Sequence, residues 1–127
     1  MNNTLLVVED APLNIKLIRD ILTHRGDTVF AACNGREGVD LALEIKPDLI
    51  LMDIQMPVMD GTEATRLIKA NPAIRHIPIV ALTGNAMDGD KKRMREAGCD
   101  GYLSKPFRIK ELLQAIDGLL GPALFSR

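Results

Sequence analysis

Five short apolar runs punctuate the chain, at residues 5–8, 29–32, 49–52, 79–82 and 101–103. Most are continuous rather than alternating, the pattern of strands in a parallel sheet covered on both faces. Amphipathic stretches fill the gaps. Residues 12–25 carry Leu13, Leu17, Ile18, Ile21 and Leu22 on one stripe, with Pro12 in the first turn and Gly26 as a stop. Residues 35–46 carry Val39, Ala42 and Leu43 and end before Pro47, and residues 62–70 carry Ala64, Leu67 and Ile68 and end at Asn71-Pro72. Residues 85–97 carry Met87, Met94 and Ala97, and residues 108–120 carry Ile109, Leu112, Leu113, Ile116, Leu119 and Leu120 ahead of Gly121-Pro122. Five strands alternating with five helices predict an α/β fold, a doubly wound parallel sheet with helices on both faces. Right-handed crossovers favour the flavodoxin-like strand order 2-1-3-4-5.

With 127 residues the chain is long enough for one domain with its own core. The expected division is a domain at 1–121 and a short tail at 122–127. Residues are 46% hydrophobic and 26% charged, and 16 basic side chains face 17 acidic ones. That near-neutral balance, with four aromatics (Phe30, Tyr102, Phe107, Phe125) and no Trp, gives no support to nucleic-acid binding. No apolar run approaches the roughly 18–20 residues of a membrane span, and the N-terminus has no basic leader region. The expected location is therefore cytoplasmic, without nucleic-acid or membrane partners. Cys33 and Cys99 are too far apart for a CxxC site and are expected to be buried free thiols. His24 and His76 are expected at the surface.

In such a sheet, ligands bind beyond the carboxyl ends of the strands, at the switch point between the first and third. Glu9 and Asp10 follow the first run, Asp53 the third, Thr83 and Gly84 the fourth, and Ser104-Lys105-Pro106 the fifth. Three carboxylates thus converge. A pair of them about 4 Å apart repels by roughly 4 kcal/mol at an effective dielectric of 20. A cation relieves this, and an all-oxygen set with open positions suits Mg²⁺. Lys105 and Thr83 add donors for phosphate oxygens, and a helix start near Asn85 favours the same anion. The kit fits a divalent cation and a phosphoryl group, with one carboxylate left as nucleophile. Glu9 and Asp10 could together cap the first helix, and Thr83 is also a plausible helix cap. The basic run Lys91, Lys92, Arg93 and Arg95 reads first as a solvated helix face.

Four segments, taken in order, resemble the receiver domain of two-component response regulators, of the CheY-like kind. They are Val7-Val8-Glu9-Asp10, the stretch 47–61 from Pro47 through Asp53 to Gly61, Ile79-Val80-Ala81-Leu82-Thr83, and 97–106 ending in Ser104-Lys105-Pro106. His76-Ile77-Pro78 and the stretch 85–90 further resemble bacterial single-domain receivers of the DivK type. The resemblance covers nearly the whole chain. It implies that Asp53 accepts a phosphoryl group from a phosphohistidine on a histidine kinase or histidine phosphotransferase. It implies Mg²⁺ on Asp10, Asp53 and the Gln55 carbonyl, with Glu9 on a metal-bound water. Lys105 would pair with Asp53 and then with the phosphoryl group, across a cis Lys105-Pro106 bond. Thr83 and Tyr102 would be the switch pair, and Gln55, Gly84 and Asn85 would modulate the lifetime of the phosphoryl group.

The protein would catalyse only its own phosphorylation and dephosphorylation. Phosphorylation would shift the packing of the fourth helix, fifth strand and fifth helix and so change protein–protein binding. Gly89 is a weak point within that fourth helix. The first helix would dock the phosphodonor through Leu13, Asn14 and Leu17. No output domain follows Gly121, so a stand-alone receiver is expected. The alternatives are a receiver excised from a hybrid kinase, an aspartyl-phosphate phosphatase and a flavin-binding module. Glu9-Asp10-Ala11 lacks the DxD nucleophile motif that the phosphatase needs, and no Ser/Thr/Gly-rich phosphate loop follows the first run.

Overall fold

The computed structural model describes residues 3–84 and 88–120, apart from the side chains of Asp88 and Asp90. Strands β1 (Thr4–Val8), β2 (Thr28–Ala32), β3 (Leu49–Asp53), β4 (Ile79–Thr83) and β5 (Gly101–Ser104) alternate with helices α1 (Pro12–Arg25), α2 (Gly35–Ile45), α3 (Gly61–Ala70), α4 (Asp88–Ala97) and α5 (Ile109–Leu120). All strand pairs are parallel and the order is β2-β1-β3-β4-β5, as the sequence pattern predicts. The expected start of α4 at Asn85 and the tail after Gly121 lie outside the described residues.

Strand alternation divides the core into two layers. Leu5, Val7, Leu49, Leu51, Val80 and Leu82 pack against Ile18 and Leu22 of α1 and Leu112 and Ile116 of α5. Leu6, Val8, Ile50, Met52 and Ile79 face Val39 and Ala42 of α2 and Ala64 and Ile68 of α3. Ile54 and Ala81 extend this second layer to Met94 of α4. Every residue of β3 and β4 is buried, and these are central strands.

β2 departs from the expectation of strands covered on both faces. It is an edge strand whose burial alternates, and Phe30 is left 39% exposed. The same edge corrects the expectation for Cys33, which is exposed, with its thiol donating to Glu37 Oε2 at 3.3 Å. It follows the end of β2, where no further strand can cover it. That acceptor pushes the thiol above its ordinary value and keeps it protonated. Cys99 is half-buried, and Met94 lies in the core as expected. His24 and His76 are exposed.

Two side-chain networks outside the strand ends hold the layers in place. Arg25 at the end of α1 is buried and donates to both carboxylate oxygens of Asp27 at 2.8 Å and to Asp117 of α5 at 2.9 Å. Lys69 of α3 donates to the carbonyls of Arg75 and Ile77 and to Asp100 Oδ2, which also accepts the Ile79 N–H at the start of β4.

Val58, in the loop between β3 and α3, has φ 70° and is 83% exposed. A β-branched residue is strained in the left-handed region, where Asn is tolerated. Val58→Asn is therefore expected to stabilise the fold by about 1 kcal/mol. Urea titration should show a higher midpoint at unchanged slope, and a lower midpoint would contradict the strain argument.

Candidate functional site

The carboxyl ends of β1, β3 and β4 lie side by side. Val8 is in register with Met52, and Asp53 with Leu82. Asp53 and Thr83 are the last residues of their strands rather than the first beyond them, so ladder bonding holds both backbones. Glu9 follows β1 directly, and its N–H donates to the Ala32 carbonyl at 2.9 Å, which anchors it as firmly. One oxygen from each of Glu9, Asp10 and Asp53 falls within 4.8 Å of the others. Glu9 and Asp53 are buried, at 1% and 6% exposure, whereas Asp10 is exposed.

Lys105 reaches into this cluster from the loop after β5. Its Nζ lies 2.7 Å from Glu9 Oε1 and 3.1 Å from Asp53 Oδ2. The Lys105–Pro106 bond is cis, as the family resemblance implies, and the Lys105 N–H donates to the Thr83 carbonyl at 2.6 Å. The shorter bond goes to Glu9 rather than to the expected partner Asp53. The electrostatics follow that asymmetry. Burial and the adjacent Glu9 push the Asp53 carboxyl up to about 6, against the pull of Lys105. Burial also acts to raise Glu9, but hydrogen bonds with Asp53 and Lys105 outweigh it and hold Glu9 down at about 2. Lys105 itself is raised: burial opposes its charge, but the two carboxylates overcome that cost. The ammonium thus neutralises Glu9 first and leaves Asp53 as the group that resists ionisation.

Of the two acids that the sequence suggests as caps of α1, Glu9 takes the anchoring role alone. Its Oε2 accepts the N–H groups of Asp10 and Ala11 at 3.0 and 3.3 Å. The N-cap position is Ala11, which makes no side-chain capping bond, because the chain turns inward at Glu9 and leaves Asp10 facing out. Thr83 closes β4 and is buried, and the helix start that it would cap, from Asn85 on, lies outside the described residues. Gln55 contributes its backbone N–H to Asp53 Oδ1 at 3.2 Å and leaves its side chain exposed. Gly84 is exposed, with nothing within 4 Å of an added Cβ. Asn85 and Met87 lie outside the described residues.

Tyr102 stands apart from the acids. It packs half-buried against Ile54, Ala81 and Met94, with Lys91 Nζ 5.3 Å from its ring centre. Its hydroxyl is buried without a hydrogen-bond partner among the described residues. Such a group is a cost that a second packing can relieve. Lys91, Lys92, Arg93 and Arg95 are exposed, as a solvated face requires.

Two contributors escape the sequence pattern. A Cβ at Gly61 would overlap the carbonyl oxygen of Asp53, so only glycine lets α3 close on the strand end; the Gly61 N–H donates to the Ile54 carbonyl at 2.8 Å. Asn14 of α1 donates to Glu9 Oε1 at 3.2 Å. In the sequence Gly61 only closes the receiver-like stretch 47–61 and Asn14 is expected only at the donor-docking helix, so neither is assigned to the acids.

Buried carboxylates at strand ends, a lysine crossing between them and the 2-1-3-4-5 sheet together define a receiver. The sequence profile described as response regulator receiver domain matches residues 5–117, and the chain belongs to that family. The polar-differentiation response regulator DivK of Brucella anthropi is 44% identical over 123 residues, covering 97% of this chain and 100% of the relative. DivK of Brucella ovis is 43% identical over the same length. Among solved structures, the receiver domain of a sensor histidine kinase from Pseudomonas aeruginosa, described with a magnesium ion coordinated in its active site cleft, superposes with a TM-score of 0.89 at 39% identity, over 95% of this chain and 99% of that one. Chemotaxis protein CheY4 of Vibrio cholerae gives a TM-score of 0.89 at 28% identity, over 94% and 100%. The chain is thus a homologue of DivK and CheY-like single-domain response regulators of two-component systems. Among the described residues no helix is long and apolar enough to cross a membrane.

Proposed function

We propose that Asp53 is the phosphoacceptor of a phosphorelay switch, loaded from a phosphohistidine on a histidine kinase or phosphotransferase. The observation that carries this reading is the convergence of Glu9, Asp10 and Asp53 oxygens within 4.8 Å, with the Lys105 ammonium 3.1 Å from Asp53. The donor set is oxygen only and one member is exposed, which fits Mg²⁺ with several retained waters. Asp10, Asp53 and the Gln55 carbonyl would hold that ion, with Glu9 on one of its waters. When bound, Mg²⁺ supplies charge neutralisation for the acids and for the incoming phosphoryl oxygens.

The chain's own residues do the rest by position. The Gln55 N–H and Lys105 fix the two oxygens of Asp53, so one lone pair can be aimed at phosphorus. As the new O–P bond forms and the P–N bond of the donor breaks, the imidazole departs with the bonding electron pair. Lys105 then moves from Asp53 to a phosphoryl oxygen, and the Thr83 hydroxyl donates to another. An acyl phosphate adds about −1.5 to −2 charges, by analogy with other phosphorylated side chains. Drawing Thr83 toward it would favour an inward turn of Tyr102, whose hydroxyl is buried without a hydrogen-bond partner among the described residues.

The donor docks at α1. Leu13 and Leu17 are 77% and 57% exposed, and a groove of about 390 Å³ runs between α1 and the loop after β5, lined by Asn14, Leu17, Lys105, Pro106 and Phe107. Output passes through α4, β5 and α5 to a protein partner. Residues 1–121 act as the receiver and 122–127 as a tail, in a chain whose only catalysis is on its own acyl phosphate. Intact-mass analysis after acetyl phosphate and Mg²⁺ should show one added phosphoryl group on the native chain and none on Asp53→Ala. Equal uptake by both would overturn the assignment.

A further inference from the structure

We propose that Asn14, in the first turn of α1, is a positioning residue: its amide holds Glu9 Oε1 in place beside Lys105 and thereby sets how tightly the acidic cluster takes a divalent cation. The inference rests on the reading of Glu9, Asp10 and Asp53 as a cation site. Glu9 is 1% exposed, so its carboxylate must find all its partners within the protein. It finds four. Oε2 accepts the N–H groups of Asp10 and Ala11, and Oε1 accepts Lys105 Nζ at 2.7 Å and Asn14 Nδ2 at 3.2 Å. Two donors on each oxygen pin the plane of the carboxylate. Three of the four come from the backbone beside Glu9 or from Lys105, which also serves Asp53. Among the described residues, Asn14 is the side-chain donor committed to Glu9 alone.

Its removal has a definite consequence. Oε1 would keep only the ammonium, which already lies closer to Glu9 than to Asp53. The ion pair would tighten, and the carboxylate, still held at Oε2 by two backbone N–H groups, would be less firmly fixed at Oε1. Glu9 would then present less charge to a cation, and present it in less fixed a direction. Asn14 also lines the groove between α1 and Phe107, so a molecule seated there touches the residue that orients Glu9.

The test is calorimetric titration of Mg²⁺ into the native chain and into Asn14→Leu and Asn14→Gln, with thermal midpoints measured in parallel. Partners of direct metal ligands typically change affinity 10–100-fold, and Glu9 would act on the ion through a water rather than directly, so about 3–10-fold weaker binding is expected for Asn14→Leu. Asn14→Gln keeps the donor on a longer arm and is expected to recover affinity to within about two-fold of native. Asn14→Ser, too short to reach Oε1, gives the same reading as the leucine variant should that one unfold. Native affinity in folded Asn14→Leu or Asn14→Ser would show that Asn14 merely ties α1 to β1, and the proposal would fall. Equal weakening in the leucine and glutamine variants would overturn it too, since packing rather than the amide would be responsible. Should the native chain itself take up no Mg²⁺, the cation-site reading fails, a result distinct from either of these.

Discussion

Asp53→Asn is expected to stabilise the metal-free protein at pH 8 and to leave it unchanged at pH 4. The Asp53 carboxyl is raised from 3.8 to about 6, first by burial and then by Glu9. A raised acid binds its proton more tightly in the folded state. Its contribution to stability is complete below the unfolded value near 4 and is lost as pH rises through about 6. Above that, the ionised group costs up to about 3 kcal/mol, at about 1.4 kcal/mol per pH unit. The neutral amide escapes this cost but loses the attraction to Lys105, so a net gain of about 1–3 kcal/mol is expected. At about 4 °C per kcal/mol for a domain of this size, the midpoint should rise by about 4–12 °C. Glu9, lowered to about 2, works in the opposite sense: its contribution is present above its unfolded value of 4.5 and is lost as pH falls through about 2. The variant retains Glu9 but removes the Asp53 hydrogen bond that helps hold it low, so comparing the two chains across pH reads the pair together. Calorimetric scans in chelator at pH 4 and pH 8 would read the difference. A variant less stable than the native chain at pH 8 would mean that Lys105 compensates Asp53 fully.

Arg25→Ala is expected to cost about 3–5 kcal/mol, because it strands a buried carboxylate. The Arg25 and Asp27 side chains are 1% and 3% exposed. Asp117, at 16%, can turn toward water, but Asp27 cannot. By the same conversion, the midpoint should fall by about 12–20 °C. The double variant Arg25→Leu/Asp27→Leu should recover most of that loss, since apolar replacement of a buried ion pair is often near neutral. A double variant as unstable as Arg25→Ala would show that the arginine stabilises by packing α1 against α5 rather than by satisfying charge. The network lies at the far end of β1 and β2 from the acids, so phosphoryl uptake by any folded variant should stay near native.

The pattern of runs and stripes was enough to read the sheet. Central strands β3 and β4 are buried along their whole length, and apart from Asp53 and Thr83 at their ends they are continuous apolar runs. The helices announce themselves through Pro12, Gly26 and the Asn71-Pro72 break, which act locally. Elements governed by neighbours were harder to read. Val29-Phe30-Ala31-Ala32 looks like a core strand, yet β2 lies at the edge with Phe30 half-open and Cys33 beyond it exposed.

The chain by itself determined which groups stand at the strand ends. Glu9, Asp10, Asp53, Thr83 and Lys105 each follow or close an apolar run, and a parallel sheet must bring such positions to one rim. Only the tertiary structure decided how they divide the work. Lys105 lies nearer Glu9 than Asp53, Glu9 rather than Asp10 anchors α1, Gly61 lets α3 close on Asp53, and Arg25 meets Asp117 across 92 residues. The physical reason is range. Periodicity and turn chemistry depend on residues a few positions apart. The charge state of a buried acid and the need for a missing Cβ depend on whatever the fold places within a few ångströms.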